Sequence, residues 1–333
     1  MLTEFDLIAR YFTKTPQRQD VSLSIGDDCA LVQMPANHHL AITTDSLVEA
    51  VHFPQNTLPE HLGHKAMAVN LSDLAAMGAT PAWVTLALTL PAADSNWLKK
   101  FARGFFQLLN RYEMQLIGGD TCQGPLSITV SAYGFIPNGQ ALLRSGAKPG
   151  DKIYVTGTLG DAALALQSLQ GKLQSPHSSL RAQRSNPEGA YLQQRLNCPE
   201  PRIAAGLGLR RIASAAIDIS DGLLADLTHI LTASKVGASL NLADLPQSKT
   251  VQALIKAGEI TQDQFYQSAL TGGDDYELCF TIPAAQESVL KQNMQAFGCD
   301  CSCIGVIEAE SGLRIYDSQG CFVAVTQQGF RHF

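Results

Sequence analysis

Residues 68–81 read Ala-Val-Asn-Leu-Ser-Asp-Leu-Ala-Ala-Met-Gly-Ala-Thr-Pro. The spacing of the apolar residues predicts an amphipathic helix that ends near Gly78 and Pro81, because glycine and proline terminate helices. Asn70 and Asp73 are three residues apart and should therefore share one face of that helix. A carboxylate is costly to bury without a partner. Taken alone, Asp73 is better explained as a solvent-exposed or capping residue.

Other acidic residues change that interpretation, because each follows a short apolar run. They are Asp27, Asp28, Asp45, Asp120, Asp218, Asp221, Asp274, Asp275 and Glu277. The ends of strands and the turns beyond them are where α/β proteins build sites. Clustered carboxylates repel one another unless cations neutralise them, and oxygen ligands suit magnesium that holds a polyphosphate. The pattern therefore predicts a nucleotide site.

Ordinary local structure explains some of these residues equally well. Glycine and aspartate favour turns, so Gly26 to Asp28 could be a plain turn. Ser220 and Asp221 are good caps for a helix that begins just after them. Capping does not explain Asp218.

The composition limits the classes of partner. The chain has 333 residues, enough for one large domain or two of ordinary size. Charged residues make up 16% and hydrophobic residues 45%, which is typical of a globular protein. The net charge of -6 argues against nucleic acid or an anionic membrane as a partner. A phosphate group must therefore be bound by metal ions, backbone amides or a few basic residues.

Few segments of the chain can bind a phosphate group in this way. Gly119 allows a close approach of the backbone, and Arg144 is one of few basic residues near the acidic turns, although a surface arginine at a domain junction is an equal alternative. Gly157 and Gly160 precede a predicted helix whose first amides could bind an anion. No Gly-x-x-x-x-Gly-Lys-Ser/Thr segment occurs, which excludes a P-loop.

Strands and helices alternate along the chain, which predicts helices packed on sheets. Pro149-Gly150 predicts a turn between two halves, so we expect domains at residues 1–148 and 149–333. Residues 170–189 are rich in Ser, Gln, Arg and Asn and have almost no apolar period, which indicates a surface loop or insertion.

Nothing in the sequence indicates export or a membrane span. The segment from Met1 to Asp6 has acidic residues where a signal peptide has basic ones, and the apolar stretch 82–93 is too short to cross a bilayer. We therefore expect a cytoplasmic protein. The eight cysteines do not suggest a disulfide framework in a chain of this length, and we expect them to be reduced and structural.

Taken together, ten motifs resemble those of the thiamine-monophosphate kinase family, in the aminoimidazole-ribonucleotide-synthetase-like superfamily of ATP-using enzymes. The motifs occur in the same order as in the family and cover nearly the whole chain. They are residues 25–30, 44–45, 52–53, 68–81, 117–121, 144–151, 154–157, 217–222, 271–278 and 329–333. Each motif is weak alone, but the ordered set is highly specific.

The resemblance implies a two-domain α/β (α+β) subunit whose N-terminal domain, 1–148, binds ATP and magnesium and pairs in a homodimer. Strands of both subunits would form a shared barrel. The implied reaction transfers the γ-phosphoryl group of ATP to thiamine monophosphate and gives thiamine diphosphate. The family also suggests a monovalent cation.

The resemblance further implies roles for individual residues. Several magnesium ions and the triphosphate would be held by Asp28, Thr43, Thr44, Asp45, Asp73, Asp120, Asp218 and Asp221. ATP would also touch Gly119, Asp120, Arg144 and Ser220. The thiamine substrate would lie near His52, Asp274 and Phe330. Two features depart from the family pattern: Asp274 stands where the family often has the longer Glu, and residues 170–189 look inserted.

The implied chemistry suits these residue types. Both reactants are polyanions, so metal ions that bridge their oxygens lower the main barrier, which is charge repulsion. The acceptor oxygen is already ionised at neutral pH, so neither a general base nor a nucleophilic side chain is required.

Two alternatives follow from the same motifs. The first is another ATP-using enzyme of the superfamily with a different acceptor, but the segment before Gly26 lacks the glycine-rich, Cys- or Lys-bearing character often found in those relatives. The second is a non-catalytic nucleotide-binding protein, in which several of the metal aspartates should be lost. Here the set of aspartates is complete.

Overall fold

The computed structural model describes residues 3–14, 18–173 and 187–324. The chain divides into two units, Met1–Leu74 with Ala79–Ala141 and Ala75–Gly78 with Leu142–Phe333. Phe330 and most of the 170–189 segment lie outside the described residues. No helix in the described ranges has both the length and the apolar character needed to cross a membrane.

The first unit is built on a four-stranded sheet with the strand order β3-β6-β4-β5. Its elements are α1 (Glu4–Leu7, continued by a π-helical turn at Ile8–Phe12), β1 (Val21–Leu23), β2 (Leu31–Val32), β3 (His38–Val48), α2 (Pro59–Ala76), β4 (Thr80–Leu90), α3 (Ser95–Arg111), β5 (Gln115–Gln123) and β6 (Ser127–Pro137). β3 and β4 both pair antiparallel with β6, whereas β4 and β5 are parallel. The short strands β1 and β2 form a separate pair.

One face of the four-stranded sheet is more buried than the other. Along β3, Thr43, Asp45 and Leu47 are half-buried or buried, whereas Thr44 and Ser46 are exposed. Because side chains alternate between faces along a strand, the first three residues share one face, which α2 covers, and the other two lie on an open face. Paired positions across strands share a face, so the open face can be followed through β6 and β4 to β5.

Two expectations for this unit are wrong. α2 is not amphipathic over residues 66–72, because all seven of these residues are buried; a helix that is apolar on most sides packs inside a domain. The sequence also places Asp45 at the end of a strand, yet β3 continues to Val48, which pairs with Ser127 of β6. Asp120 likewise lies inside β5.

The second unit is built on a six-stranded sheet with the strand order β12-β9-β11-β7-β10-β8. Its elements are β7 (Lys152–Thr156), α4 (Asp161–Leu169), α5 (Pro187–Asn197), α6 (Ile203–Leu209), β8 (Ala215–Asp218), α7 (Leu223–Ser234), β9 (Gly237–Asn241), α8 (Lys249–Lys256), α9 (Gln262–Thr271), β10 (Leu278–Ile282), α10 (Glu287–Ala296), β11 (Cys301–Glu308) and β12 (Gly312–Tyr316). Apolar residues of the strands and helices, among them Ile217, Leu227 and Phe265, form its core.

Most pairs in this sheet are antiparallel, and β12 with β9 is a parallel pair. β8 is an edge strand that ends at Asp218. The predicted mixed α/β fold in two parts is therefore confirmed.

Candidate active site

The first cluster of site residues joins β3 to α2. The hydroxyl of Thr43 donates a hydrogen bond to Oδ2 of Asp73. Asp45 lies on the same face of β3 as Thr43 and is half-buried. Burial, together with the negative charge of Asp73, raises the pKa of Asp45 to about 6. Thr43, Asp45 and Asp73 are therefore brought together, as their predicted shared role requires.

This cluster suits a hard cation. Two carboxylates that repel each other in a partly buried place gain most from a positive charge between them. All the donor atoms are oxygens, the ligand type that magnesium prefers, and magnesium usually keeps several waters and needs few protein ligands. Within the described ranges no three His, Cys, Asp or Glu side chains form a ready-made metal site. Water and phosphate oxygens would have to supply the remaining ligands of any metal ion held here.

Two other predicted ligands lie on the open face of the sheet. The Thr44 hydroxyl is 2.8 Å from the Ser131 hydroxyl across β6. Asp120 is exposed and pairs with Ala87, whose partner on β6 is Thr129. Three strand spacings separate β3 from β5, so Asp45 and Asp120 are about 14 Å apart in one subunit. They cannot coordinate the same metal ion in one subunit.

Gly119 is required for packing as well as for any approach of a ligand. Its φ is 154°, and a Cβ at this position would lie 1.9 Å from the carbonyl oxygen of Leu86 on the neighbouring strand. Any side chain here would push β5 away from β4. From the sequence alone, only a close approach of phosphate is predicted for this glycine.

Asp28 and His52 lie in turns of the first unit. Asp28 is exposed, and its amide donates to Oδ1 of Asp27 at 2.9 Å. His52 is half-buried, and its Nδ1 accepts from the amide of Val48 at 3.0 Å. In the neutral ring the proton must then be on Nε2.

The second cluster lies where β8 turns into α7. Asp218 is the last residue of β8 and is 5% exposed, while Ser220 and Asp221 are half-buried in the turn that follows. The carbonyl of Ser220 accepts from the amide of Asp274 at 2.9 Å. A Cβ on Gly273 would lie 2.3 Å from that carbonyl oxygen, so only glycine permits this approach. The structure therefore brings Asp218, Ser220, Asp221 and Asp274 into one region.

Asp274 is held in an unusual backbone conformation. Its φ is 67° and that of Tyr276 is 51°, in the left-handed region that most side chains avoid. The Tyr276 hydroxyl donates to Oδ1 of Asp274 at 3.1 Å. Strained residues of this kind cluster at functional sites. The contact fixes the direction of a carboxylate that is one methylene shorter than the Glu often found in the family.

Asp226 is a residue that the sequence reasoning missed. Capping by Ser220 and Asp221, the alternative explanation for these residues, does not occur, because Gly222 occupies the cap position of α7 and no side chain caps the helix there. Instead Oδ2 of Asp226, in the first turn of α7, accepts from the amides of Ser220, Asp221 and Gly222 at 3.0, 3.0 and 3.2 Å. An acidic residue four positions after Gly222 was the available signal.

Asp275 and Glu277, which are close to Asp274 in the sequence, make their contacts inside the second unit. Both side-chain oxygens of Asp275 accept from the amide of Gly160, at 3.1 and 2.9 Å. The helix start that the sequence proposed for an anion is therefore occupied by a carboxylate of the protein itself. Glu277 accepts two bonds from Arg202 at 2.6 Å and one from Arg195 at 2.8 Å. Burial raises the pKa of Asp275.

Arg144 lies at the far end of α7 from the Ser220 turn. Its carbonyl accepts from the hydroxyl of Ser234, the last residue of that helix, at 3.3 Å. A helix of 12 residues is about 18 Å long. The Arg144 side chain is exposed, so it can reach a ligand, but it does not lie with Ser220 and Asp221.

Comparisons with known proteins place the chain in a family. Residues 26–136 match the family described as AIR synthase related protein, N-terminal domain, and residues 148–318 match AIR synthase related protein, C-terminal domain. The chain is 49% identical over 331 residues to the thiamine-monophosphate kinase of Salmonella typhimurium, and the match covers 99% of this chain and 98% of that protein.

Comparison with solved structures gives the same family as comparison of the sequences. The thiamine-monophosphate kinase of Stenotrophomonas maltophilia is 46% identical with a TM-score of 0.85, over 94% of this chain and 96% of that one. A complex of AaThiL with AMPPCP and TMP is 31% identical with a TM-score of 0.75, over 94% of this chain and 93% of that one. By fold and by identity over its full length, the chain belongs to the thiamine-monophosphate kinase family of AIR synthase related proteins.

Proposed function

We propose that the protein transfers the γ-phosphoryl group of ATP to the phosphate of thiamine monophosphate and so makes thiamine diphosphate. The observation that carries this proposal is the 49% identity to a thiamine-monophosphate kinase over 99% of the chain. AMPPCP, a non-hydrolysable ATP analogue, and TMP are bound together by a relative that is 31% identical. ATP is thus a co-substrate and thiamine monophosphate is the acceptor.

The proposal includes several magnesium ions. Their ligands are drawn from Asp28, Thr43, Thr44, Asp45, Asp73, Asp120, Asp218 and Asp221. The repulsion between Asp45 and Asp73 supports a cation at the first cluster. Because strand spacing places Asp120 about 14 Å from Asp45 within one subunit, these two residues of the same subunit would hold different ions. A monovalent cation belongs to the proposal on the family resemblance alone.

The remaining contacts divide between the two substrates. Gly119, Asp120, Arg144 and Ser220 are assigned to ATP, and His52, Asp274 and Phe330 to thiamine monophosphate. The Tyr276 hydroxyl supports the second assignment, because it fixes the direction of the Asp274 carboxylate.

The chemistry requires little more than position and charge. Magnesium, when bound, would neutralise phosphate oxygens of the substrates. Asp45 and Asp73 would hold such charge in the first unit and the Ser220 turn would hold it in the second, and fixed charge of this kind lowers the barrier. No side chain has to take a proton, since the attacking phosphate oxygen is already ionised.

We also propose a homodimer formed by the sheets of the first unit, with domain limits at 148 and 149. On the open face of β3, Ile42 is 62% exposed and Val48 is 37% exposed, which is unusual for large apolar side chains on a sheet. A second subunit that packs on this face would bury them and complete the barrel. The cytoplasmic location stays a prediction from the sequence.

The test is incubation of the purified protein with ATP, magnesium and thiamine monophosphate, with separation of the products by chromatography. Parallel reactions contain free thiamine as acceptor or an excess of chelator. We expect thiamine diphosphate from the monophosphate only, and none with the chelator. Binding of ATP without transfer to thiamine monophosphate would favour another acceptor. Binding without transfer to any acceptor tested would favour the non-catalytic alternative.

A further inference from the structure

The turn of residues 219–222 is held from two sides. Its carbonyls are engaged by the segment after α9: Ile219 O accepts from Tyr276 N at 2.8 Å and Ser220 O from Asp274 N at 2.9 Å. Its amides are engaged by a single atom, Oδ2 of Asp226, which accepts from Ser220, Asp221 and Gly222. Three successive amides that converge on one oxygen fix the curvature of a turn.

The position of Asp226 limits what it can do. It is 3% exposed, and its backbone amide donates to Gly222 O at 3.0 Å in the first turn of α7. Its known contacts are therefore with the turn, and it is too buried to reach a substrate from solvent. Ser220 and Asp221, in the same turn, are half-buried.

We propose that Asp226 is a positioning residue that sets the geometry of the Ser220–Asp221 turn for ATP and magnesium. The proposal rests on the proposed function, which assigns those two residues to ATP and to a metal ion. Without the carboxylate, three buried or half-buried amides lose their acceptor and the turn must open to find water. Ser220 and Asp221 would then move from the places they hold in the folded protein.

A purely structural role is the alternative, because loss of a buried acceptor also destabilises the fold. The two roles separate in their effect on ligands. A structural role lowers stability and leaves the ATP dissociation constant of the folded protein unchanged. A positioning role changes that constant and the hydrogen exchange of the turn.

The experiment compares the full-length wild type with Asp226→Ala, Asp226→Ser and Asp226→Asn. Ser248→Ala is the matched control, because Ser248 is also buried and its hydroxyl caps an amide, that of Val251 in α8, away from the turn. Amide hydrogen exchange is measured for the peptide that contains residues 219–222. The dissociation constant for ATP is measured by calorimetry in the presence of magnesium, without thiamine monophosphate.

We expect Asp226→Ala and Asp226→Ser to exchange roughly 30-fold faster in the turn and to bind ATP at least about ten-fold more weakly. Asp226→Asn keeps a weaker, neutral acceptor, so about a three-fold change is expected in both measurements. Ser248→Ala should be less stable than the wild type but should keep the wild-type dissociation constant for ATP.

Any folded Asp226 variant with wild-type ATP affinity overturns the proposal, whether or not its turn exchanges faster, and Asp226→Asn supplies that comparison if the two shorter variants do not fold. Failure of the proposed function looks different. A wild-type protein that binds ATP with magnesium but makes no thiamine diphosphate contradicts the assigned reaction, while the comparison of the Asp226 variants still stands.

Discussion

The hydroxyl of Thr43 on β3 donates to the carboxylate of Asp73 on α2, and this contact holds the carboxylate beside Asp45. A hydrogen bond of this kind orients the carboxylate oxygen of Asp73 but does not neutralise the negative charge of the carboxylate. The Asp73 charge and burial both disfavour the ionised form of Asp45. A cation between the two carboxylates would relieve their repulsion.

Asp73→Asn should reduce turnover by roughly two to three orders of magnitude, because it removes one of the charges that holds the metal in the transition state. The folded protein should be no less stable than the wild type, since repulsion with Asp45 is relieved. Steady-state kinetics at several magnesium concentrations and a thermal melt test both statements. Asp94→Asn is the matched control, because Asp94 caps α3 and asparagine is an equally good cap. Near-normal turnover of Asp73→Asn would remove Asp73 from the metal site.

Glu277→Gln should be strongly destabilising, by about 3–5 kcal/mol, because Arg195 and Arg202 would lose a buried charged partner. Glu277 is fully buried and the side chains of the two arginines are 12% and 20% exposed. Urea unfolding at constant pH measures the change. Glu310→Gln is the control, since Glu310 pairs with Arg314 but its side chain is 85% exposed; its effect should stay within about 1 kcal/mol. Equal effects of the two substitutions would contradict this account.

The sequence predicts the fold class and the acidic clusters because both are local patterns. Apolar runs mark the strands, and aspartates beside glycines mark the turns, so Asp218, Asp221 and Asp274 were found together. Whether an acidic residue faces a ligand or the core is set by contacts distant in the chain. Asp275 and Glu277 carry the same local signal as Asp274, yet Gly160 and two arginines of other elements engage them inside the unit.

The predictions that the structure contradicts also fail because contacts distant in the chain decide them. Strand length depends on pairing, and β3 passes Asp45 because β6 continues beside it to Ser127. The burial of α2 on most sides depends on what packs around it, which its own apolar spacing does not report. Asp226 was missed because its partners are amides, and a sequence shows no special residue type where an amide is the donor.

Ile42→Glu should dissociate the proposed homodimer, because it places a charge in the centre of the open face of β3. We expect the dissociation constant of the dimer to rise by at least about 100-fold and the monomer to remain folded. Analytical ultracentrifugation over a range of concentrations measures this. Val289→Glu is the control, since Val289 is a comparably apolar exposed residue, 37% exposed, on α10 of the second unit. A dimer that is unaffected by Ile42→Glu would exclude this face as the interface.

Tyr276→Phe should weaken recognition of thiamine monophosphate selectively. The substitution removes the hydroxyl that donates to Oδ1 of Asp274 and leaves the ring in place, so the carboxylate loses its fixed direction while the left-handed backbone is kept. Loss of one hydrogen bond to a charged group corresponds to about a three- to thirty-fold rise in KM for thiamine monophosphate. KM for ATP should change little, because the Ser220 turn is held by Asp226 and by backbone contacts that the ring does not make. Tyr316→Phe on β12 is the matched control. A rise in both KM values, or in neither, would show that the Tyr276 hydroxyl does not act through Asp274 on the thiamine substrate.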